Sequence, residues 1–515
     1  MIVFVFWTST CLKNNISKNE FSFFILFFIL FRASEYNTIQ KTKYKTKNKI
    51  QNKKQNTIQK TKYKTIQNTK TEYKKSKYYA MLSFQLPANQ KLPPLDRWLN
   101  PKYLGGGDLI VSRFVGGGRH DPQNWKSDFP EYAYDYPKLL TIKNAINTAK
   151  SGFDDILKTP EDEKRFFMIS SKVRLHDTLR GRNGLVASTM NAEVVTNAWL
   201  KMYEMMPFVD PILDNIQKKR NKVFQSMSFA EAPGNFMLAI NHYMESNYPS
   251  IEWRWAANSY RHRLQSTKYL EDSYGLMRKY PQKWWFGSDG DGDITSPDNI
   301  RTFTAQAKTM GLFHLVTSDV KYVPEEENYD EEETINIPVH LGHILCCLTT
   351  LKKGGTVILK HLNLCESQTV SLLWILAGCF NNLQITKPET SKPANSETYI
   401  IATGYKKNLT RTEIDRLLQI MQYIRYMNTE SGSPCIFHKE DIPEAFVNAI
   451  HDAMNRLSEH QIQFLQRDIS MFSKYKNSSL RKINEDFAEI RQKHAQQWMQ
   501  KQKIKPLPGN KTMIV

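Results

Sequence analysis

The sequence predicts an α/β fold, a seven-stranded sheet between layers of helices. Strand-like apolar runs alternate with helix-like segments from residue 227 to residue 404, which is the pattern of a largely parallel sheet. The last two runs, residues 383–386 and 397–404, form a hairpin-like antiparallel pair that closes the sheet. Charged residues stand at the ends of several runs, where a sheet of this kind binds its ligands.

The first strand, which begins at Met227, runs into the turn Glu231-Ala-Pro-Gly-Asn-Phe236 and then into a helix. Gly234 lets the backbone approach a ligand closely, and the helix N-terminus offers free N–H groups. Glu231 is placed to meet a charged or hydroxylated ligand. The turn therefore predicts a site for a nucleoside cofactor, although Pro-Gly on its own is equally typical of an ordinary turn.

The next strand-like segments are residues 251–257 and the run that begins at Trp284. Asp293 follows the second of these, and an acidic side chain at a strand end can accept a hydrogen bond from an adenine amino group or a ribose hydroxyl. The acidic run around it is not a calcium loop. Counted from Asp289, Ile294 and Ile300 occupy the positions that need Gly and a bidentate Glu.

Three charged residues, Asp319, Lys360 and Glu397, each lie at an end of a predicted buried strand, and Lys201 lies on the preceding helix, residues 192–206. Each alone is equally an ordinary surface charge, but four converging charges are costly unless they serve a purpose. Two neighbouring buried lysines lower each other's pKa, so that one can act as a base at neutral pH. Such a site suits removing the proton from a sugar hydroxyl whose oxygen then attacks an electrophilic methyl group.

The order of these motifs resembles the FtsJ/RrmJ-type family of S-adenosylmethionine-dependent RNA ribose 2′-O-methyltransferases, with its Lys-Asp-Lys-Glu tetrad. The matching segments are Ala198-Trp-Leu-Lys201, Leu315-Val-Thr-Ser-Asp319, Thr356-Val-Ile-Leu-Lys360 and Ser396-Glu-Thr-Tyr-Ile-Ile-Ala-Thr-Gly404. Within the family, residues 231–243, 252–258 and 292–294 look most similar to the Adrift-type cap methyltransferases and their relatives in large DNA viruses. The resemblance covers about residues 192–405.

The resemblance implies a Rossmann-like methyltransferase sheet with S-adenosyl-L-methionine as cofactor. Lys360 would be the general base, Asp319 and Lys201 would position and activate the hydroxyl, and Glu397 would hold the lysines. Asn235 stands where many family members have a second glycine. The residues that would bind the cofactor are Glu231, Ala232, Pro233, Gly234, Asn235, Phe236, Trp253, Asp293 and Asp319.

The expected function is methylation of a cap-proximal ribose of mRNA, with capped mRNA and the capping or transcription machinery as partners. The alternatives are a ribosomal or transfer RNA 2′-O-methyltransferase and a catalytically silent RNA-binding subunit, against which the intact tetrad argues. We expect no stable membrane association, a cytoplasmic location (a viral factory or virion for a viral source) or a nuclear one, and no secretion.

The flanks of the methyltransferase domain, residues 191–406, differ in composition. Residues 1–80 are a low-complexity leader that carries +14 of the net charge of +20, and such a composition cannot bury a core. We interpret the leader as translated A/T-rich sequence before a working start at Met81, or as a disordered basic arm that holds nucleic acid. Residues 81–190 predict a mostly helical domain and residues 407–515 a second helical domain.

Cysteine and histidine spacing gives no metal motif. The six cysteines show no C-x-x-C spacing and are interpreted as buried thiols in a reducing compartment. His340 and His343 are expected on a helix surface. The glycine triplets at residues 105–107 and 116–118 lack the form of a phosphate-binding loop and predict flexible turns.

Overall fold

The computed structural model describes residues 81–101, 126, 129–261, 272–322, 330–426 and 433–514. The predicted leader and both glycine triplets lie outside these residues. The strands are β1 (Leu82–Leu86), β2 (Val223–Phe229), β3 (Glu252–Asn258), β4 (Trp284–Trp285), β5 (Phe313–Ser318), β6 (Leu351–Leu362), β7 (Phe380–Lys387) and β8 (Glu397–Tyr405). They form one sheet in the order β1-β7-β8-β6-β5-β2-β3-β4.

Helices precede, connect and follow the strands. The α-helices of the described residues are α1 (Pro137–Lys150), α2 (Pro160–Val173), α3 (Leu185–Met190), α4 (Asn197–Met205), α5 (Asp210–Gln217), α6 (Asn235–Asn247), α7 (Leu276–Lys279), α8 (Pro297–Met310), α9 (Glu332–Ile335), α10 (Ile337–Thr350), α11 (Ser367–Cys379), α12 (Arg411–Tyr426), α13 (Glu444–Tyr475) and α14 (Leu480–Lys501).

The pairing confirms the predicted α/β class. Strands β4, β3, β2, β5 and β6 are parallel, and β8 and β7 close the sheet in antiparallel orientation. The structure adds an eighth strand to the predicted seven. Strand β1 lies within the region expected to be mostly helical and pairs antiparallel with β7, from Leu82 opposite Lys387 to Leu86 opposite Leu383. The backbone of β1 pairs with the free edge of β7, and the alternating apolar residues of β1 are typical of a half-buried strand.

The chain reverses direction across the sheet at β2. From β2 it builds β3 and β4 on one side and then crosses to β5 on the other side. At such a switch point the connections leave the carboxyl ends of two adjacent strands in opposite directions, and this opens a crevice for ligands. The turn after Phe229 and the residues after Ser318 therefore border the same crevice.

Two hydrophobic cores cover opposite faces of the sheet. Val316 and Val357 belong to one core, whereas their neighbours Leu315 and Ile358 belong to the other. Alternate residues of a strand point to opposite faces. The layers are therefore helix, sheet and helix, and α4 and α6 lie together on one face.

The expected surface position of His340 and His343 is wrong. Both imidazoles are fully buried on α10 and meet His361 of β6, whose ring centroid is 4.1 Å from that of His340. Helix α10 is covered by the sheet on one side and by α8, α11 and α12 on others, so both histidines face neighbouring elements of the core. Burial lowers the pKa of all three histidines.

The terminal helices pack on each other and on the sheet. Helix α13 contacts α1, α2 and β1, and α14 contacts α2. The five cysteines of the described residues are buried, unpaired thiols. None of the helices among the described residues combines the length and apolarity that a membrane span requires.

Candidate active site

The turn after β2 is fixed from both sides. The Glu231 N–H donates to the Asn258 carbonyl (2.9 Å), and the Ala232 N–H donates to Ser259 Oγ (2.7 Å), which ties the turn to the carboxyl end of β3. Gly234 has φ +122°, and a Cβ there would lie 2.3 Å from Cδ1 of Leu276. Glycine is required by conformation and by space. Pro233 lies within the fixed turn.

Glu231 shapes the turn from inside. Its Oε1 accepts hydrogen bonds from the backbone N–H groups of Phe236 (2.8 Å) and Met237 (3.1 Å), the first free donors of α6. Burial, with a contribution from the Asp319 charge, raises the pKa of Glu231 to about 8. The carboxyl group thus caps the helix of the cofactor turn, and its Oε1 is already occupied.

Two other predicted cofactor residues lie at the same edge of the sheet. Asn235 Oδ1 accepts from Thr196 Oγ1 (2.8 Å) and from the Tyr274 hydroxyl (3.0 Å). Asp293 follows β4, and its Oδ2 pairs with Arg425 of α12 at 2.8 Å. Oδ1 of Asp293 accepts from Thr295 N and Oγ1. Both side chains are therefore held in place by the protein.

The placement of Trp253 in the cofactor site is wrong. Trp253 is the second residue of β3, and its indole N–H donates to Ser226 Oγ (2.9 Å). Five residues at about 3.3 Å each separate it from the carboxyl end of the strand, a distance of roughly 16 Å. Asn258 and Ser259 occupy that end instead.

The crevice contains buried polar atoms that suit a nucleoside ligand. Ser318 Oγ, at the end of β5, and Asn258 Oδ1, at the end of β3, have no hydrogen-bond partner among the described residues. Buried polar groups are normally paired, and these two flank the cofactor turn. Hydroxyl and amino groups of a nucleoside are partners of the right kind, so the residues at this edge fit such a cofactor.

Lys201 of α4 and Glu397 of β8 form a buried ion pair. Lys201 Nζ donates to Glu397 Oε1 at 2.7 Å, and the two side chains are 7% and 12% exposed. Ser391 Oγ also donates to this oxygen (3.1 Å). Burial favours the neutral lysine, but the charges of Glu397 and Asp319 outweigh it and raise the pKa of Lys201. The expectation of a lowered pKa is wrong for this lysine.

Lys360 of β6 and Asp319 form the second pair. Lys360 Nζ lies 3.5 Å from Asp319 Oδ1 and donates to the Asp319 carbonyl (3.2 Å). Tyr399, directly opposite Lys360 in the sheet, donates its hydroxyl to Asp319 Oδ1 (2.8 Å), and its ring centroid is 5.3 Å from Lys201 Nζ. The structure thus brings all four predicted charges together as two pairs joined through Tyr399.

Phe236, the last residue of the predicted cofactor turn, supports this junction. Its buried ring lies 6.3 Å from the Tyr399 ring, between centroids. It acts by packing, because its side chain has no polar atom.

The model of the FtsJ-like methyltransferase family matches residues 194–405, which contain both ion pairs. A protein of the Badajoz strain of African swine fever virus, "Probable methyltransferase EP424R", is 30% identical over 365 residues, which are 68% of this chain and 80% of that protein. The chain belongs to the FtsJ-like methyltransferase family. The methyl donor of this family is S-adenosylmethionine, as the sequence predicted.

Two further relatives extend the match. The EP424R protein of the Warthog isolate is 34% identical over 289 residues, 54% of this chain and 64% of that protein. "Cap-specific mRNA (nucleoside-2'-O-)-methyltransferase 2" of Mus musculus is 27% identical over 442 residues, 84% of this chain and 54% of that protein. The FtsJ-like chain thus matches somewhat more than half the length of these two relatives.

The sequence did not point to Lys387, the last residue of β7. Its Nζ donates to three oxygens, Asn395 O (2.9 Å), Asn395 Oδ1 (2.9 Å) and Glu397 O (2.8 Å). Burial and the Lys201 charge lower the pKa of Lys387 to about 8. It fixes the loop between β7 and β8 beside the FtsJ-like site. Lys387 lies two residues after the buried Ile385 on the same strand, and this spacing could have indicated that its side chain faces the core.

Proposed function

We propose that this chain is an S-adenosylmethionine-dependent RNA ribose 2′-O-methyltransferase that acts on a cap-proximal nucleotide of mRNA. The observation that carries the proposal is the meeting of Lys360 and Asp319 with Lys201 and Glu397 at the carboxyl edge of the sheet. The mouse relative, named for cap-specific 2′-O-methyl transfer, matches 84% of the chain and supports the substrate.

The chemistry follows from the positions of the two pairs. S-adenosylmethionine supplies an electrophilic methyl group. Lys360 would take the proton of the ribose 2′-hydroxyl as the oxygen forms its bond to the methyl carbon and the bond from that carbon to the donor sulfur breaks. Asp319 fixes Lys360 Nζ through its carbonyl and carboxylate oxygens, and Tyr399 fixes the carboxylate of Asp319.

Lys201 has a different role from Lys360. It is held protonated by Glu397, and a fixed positive charge near the 2′-oxygen favours the developing alkoxide. Glu397 orients Lys201 through its Oε1, which also accepts a hydrogen bond from Ser391 Oγ. The cofactor would bind along the turn from Glu231 to Phe236, with Asn258, Ser259 and Ser318 in place of Trp253 and with Asp293 at the outer end.

The test is methyl transfer from labelled S-adenosylmethionine to three RNAs: a capped RNA, an uncapped copy and a structured ribosomal RNA fragment. The full chain is compared with its Lys360→Ala variant. Lys353→Ala is the matched control, because Lys353 is an exposed lysine near the amino end of the same strand. We expect label in the capped RNA alone, none with Lys360→Ala and unchanged activity with Lys353→Ala.

The other outcomes discriminate between the alternatives. Equal labelling of capped and uncapped RNA would reject the cap-proximal substrate and keep the reaction. Labelling of the ribosomal fragment alone would assign the enzyme to structured RNA. A protein that neither binds the cofactor nor labels any of the three would be a silent RNA-binding subunit. One that binds the cofactor and labels none of the three would need another substrate or a partner, and the cap assignment would fall.

A further inference from the structure

A cleft of about 720 Å³ opens beside the Lys201 and Glu397 pair. Its lining comes from three segments besides α4 and the two residues before it. Asn235 of the cofactor turn is one of them. Arg180 and Gly181 lie before α3, and Ser391 and Lys392 lie in the loop between β7 and β8. We call it the basic cleft. Arg180 lies outside residues 194–405, the part of the chain that the family model covers.

The basic side chains around the basic cleft outnumber the acidic ones. Arg180 is paired with Asp177, but Lys392 has no ion-pair partner among the described residues. Lys392 is exposed to solvent, and partial burial together with the charges of Arg174 and Arg180 lowers its pKa. Burial and Arg180 likewise lower the pKa of Arg174, whose Nη2 donates to Ser170 Oγ (3.0 Å).

Like charges held close together repel each other, and the cost is relieved when an anion binds between them. Asp177 and Glu397, the acids that line the cleft, are already bonded to Arg180 and Lys201. The free charge on the wall is therefore positive, and it lies next to the proposed catalytic lysine Lys201. The anions that flank a ribose 2′-hydroxyl in RNA are its backbone phosphates.

We propose that the basic cleft binds the phosphodiester next to the ribose that is methylated, between Arg180 and Lys392, with Arg174 as a supporting charge. The proposal rests on the proposed function and deepens it, because it makes the substrate an oligonucleotide. Lys392 is a positioning residue that holds the RNA backbone and leaves the chemistry to Lys360. Phosphate contacts fix register and orientation without reading sequence.

The test measures binding of a capped single-stranded RNA over a salt series, together with kcat and KM. Each phosphate contact to a single strand contributes about 0.7 to the slope of log affinity against log salt. Lys392→Gln should lower that slope by about 0.7, raise the KM for RNA roughly tenfold and leave kcat and cofactor affinity unchanged. Lys392→Arg should restore binding. Lys308→Gln removes an exposed lysine of α8 and is the matched control.

A chemical variant of the RNA completes the test. An RNA with one uncharged methylphosphonate at the linkage next to the methylated nucleotide should bind the wild type as weakly as normal RNA binds Lys392→Gln, and the two changes together should add nothing. If the wild type is active and Lys392→Gln matches Lys308→Gln in RNA affinity and in salt slope, this inference is overturned and the proposed function stands. A wild type that methylates no RNA would overturn the proposed function and this inference with it.

Discussion

Replacing Glu397 by Gln removes one charge of a buried ion pair while keeping the size of the side chain. The partner, Lys201 Nζ at 2.7 Å, belongs to a side chain that is only 7% exposed. An ammonium group left in such a place without its counter-charge costs about 3–5 kcal/mol. We therefore expect Glu397→Gln to lower the free energy of unfolding by about 3–5 kcal/mol at neutral pH.

Urea unfolding of four proteins measures this: the wild type, Glu397→Gln, Lys201→Met and the double variant. Because the double variant has neither charge, it should be more stable than Glu397→Gln alone, with a coupling of about 0.5–3 kcal/mol. Methyl transfer is expected to be lost in all three variants. The double-mutant cycle therefore compares their free energies of unfolding and not their activities. Bound cofactor is left out because it would stabilise the variants unequally.

The pH dependence of stability tests the buried ion pair independently. In the wild type the pKa of Lys201 is raised above 10.5, so its contribution to stability is complete below 10.5 and is lost as the pH rises above that value. In Glu397→Gln the larger opposing charge is gone, and we expect burial to lower this pKa against the Asp319 charge that remains. The unfolded chain then binds the extra proton, and the stability of the variant should rise with pH up to 10.5.

The difference in stability between wild type and Glu397→Gln should therefore become smaller from pH 7 to pH 10. A loss below about 1 kcal/mol at pH 7, the value typical of an exposed pair, together with parallel pH profiles, would refute the buried ion pair.

Three further predictions concern the site. Tyr399→Phe removes the hydrogen bond to Asp319, which is worth about 1.5–3 kcal/mol. The kcat of this variant should therefore fall roughly ten- to hundredfold, while its affinity for the cofactor stays unchanged. An unchanged kcat would contradict the role given to this hydroxyl. Gly234→Ala places a Cβ 2.3 Å from Leu276 and should cost at least about 1–3 kcal/mol, seen as a lower melting temperature and weaker cofactor binding by calorimetry. The pKa of Glu231 is raised to about 8, so between pH 4.5 and pH 8 the folded state holds a proton that the unfolded state has lost. The wild type should therefore lose stability over this range relative to Glu231→Gln. Urea unfolding of both proteins measures this, and equal dependence of their stability on pH would exclude the raised pKa.

The residues that carry charge at strand ends were predictable. Asp319, Lys360 and Glu397 follow from the alternation of strands and helices, because the ends of neighbouring strands meet at one edge. Tyr399 could have been found in the same way. It is two residues after Glu397 in one strand, and residues of that spacing share a face.

Other features depend on tertiary packing and could not be read from the pattern. Trp253 was misplaced because alternating aromatics do not show which end of a strand faces the ligand. His340 and His343 have a polar spacing typical of a helix surface, yet α10 is covered on several sides. The protonation of Lys201 depends on its 2.7 Å contact with a residue 196 positions away.

The measurement that tests the central claim most directly uses a series of capped RNAs, each lacking the 2′-hydroxyl of one cap-proximal nucleotide. Each RNA is given to the full chain with labelled S-adenosylmethionine, and the label incorporated is counted. If the site methylates a ribose 2′-oxygen, one deoxy position abolishes labelling and the others leave it intact. Undiminished labelling of every RNA in the series would place the methyl group elsewhere and contradict the proposed role of Lys360.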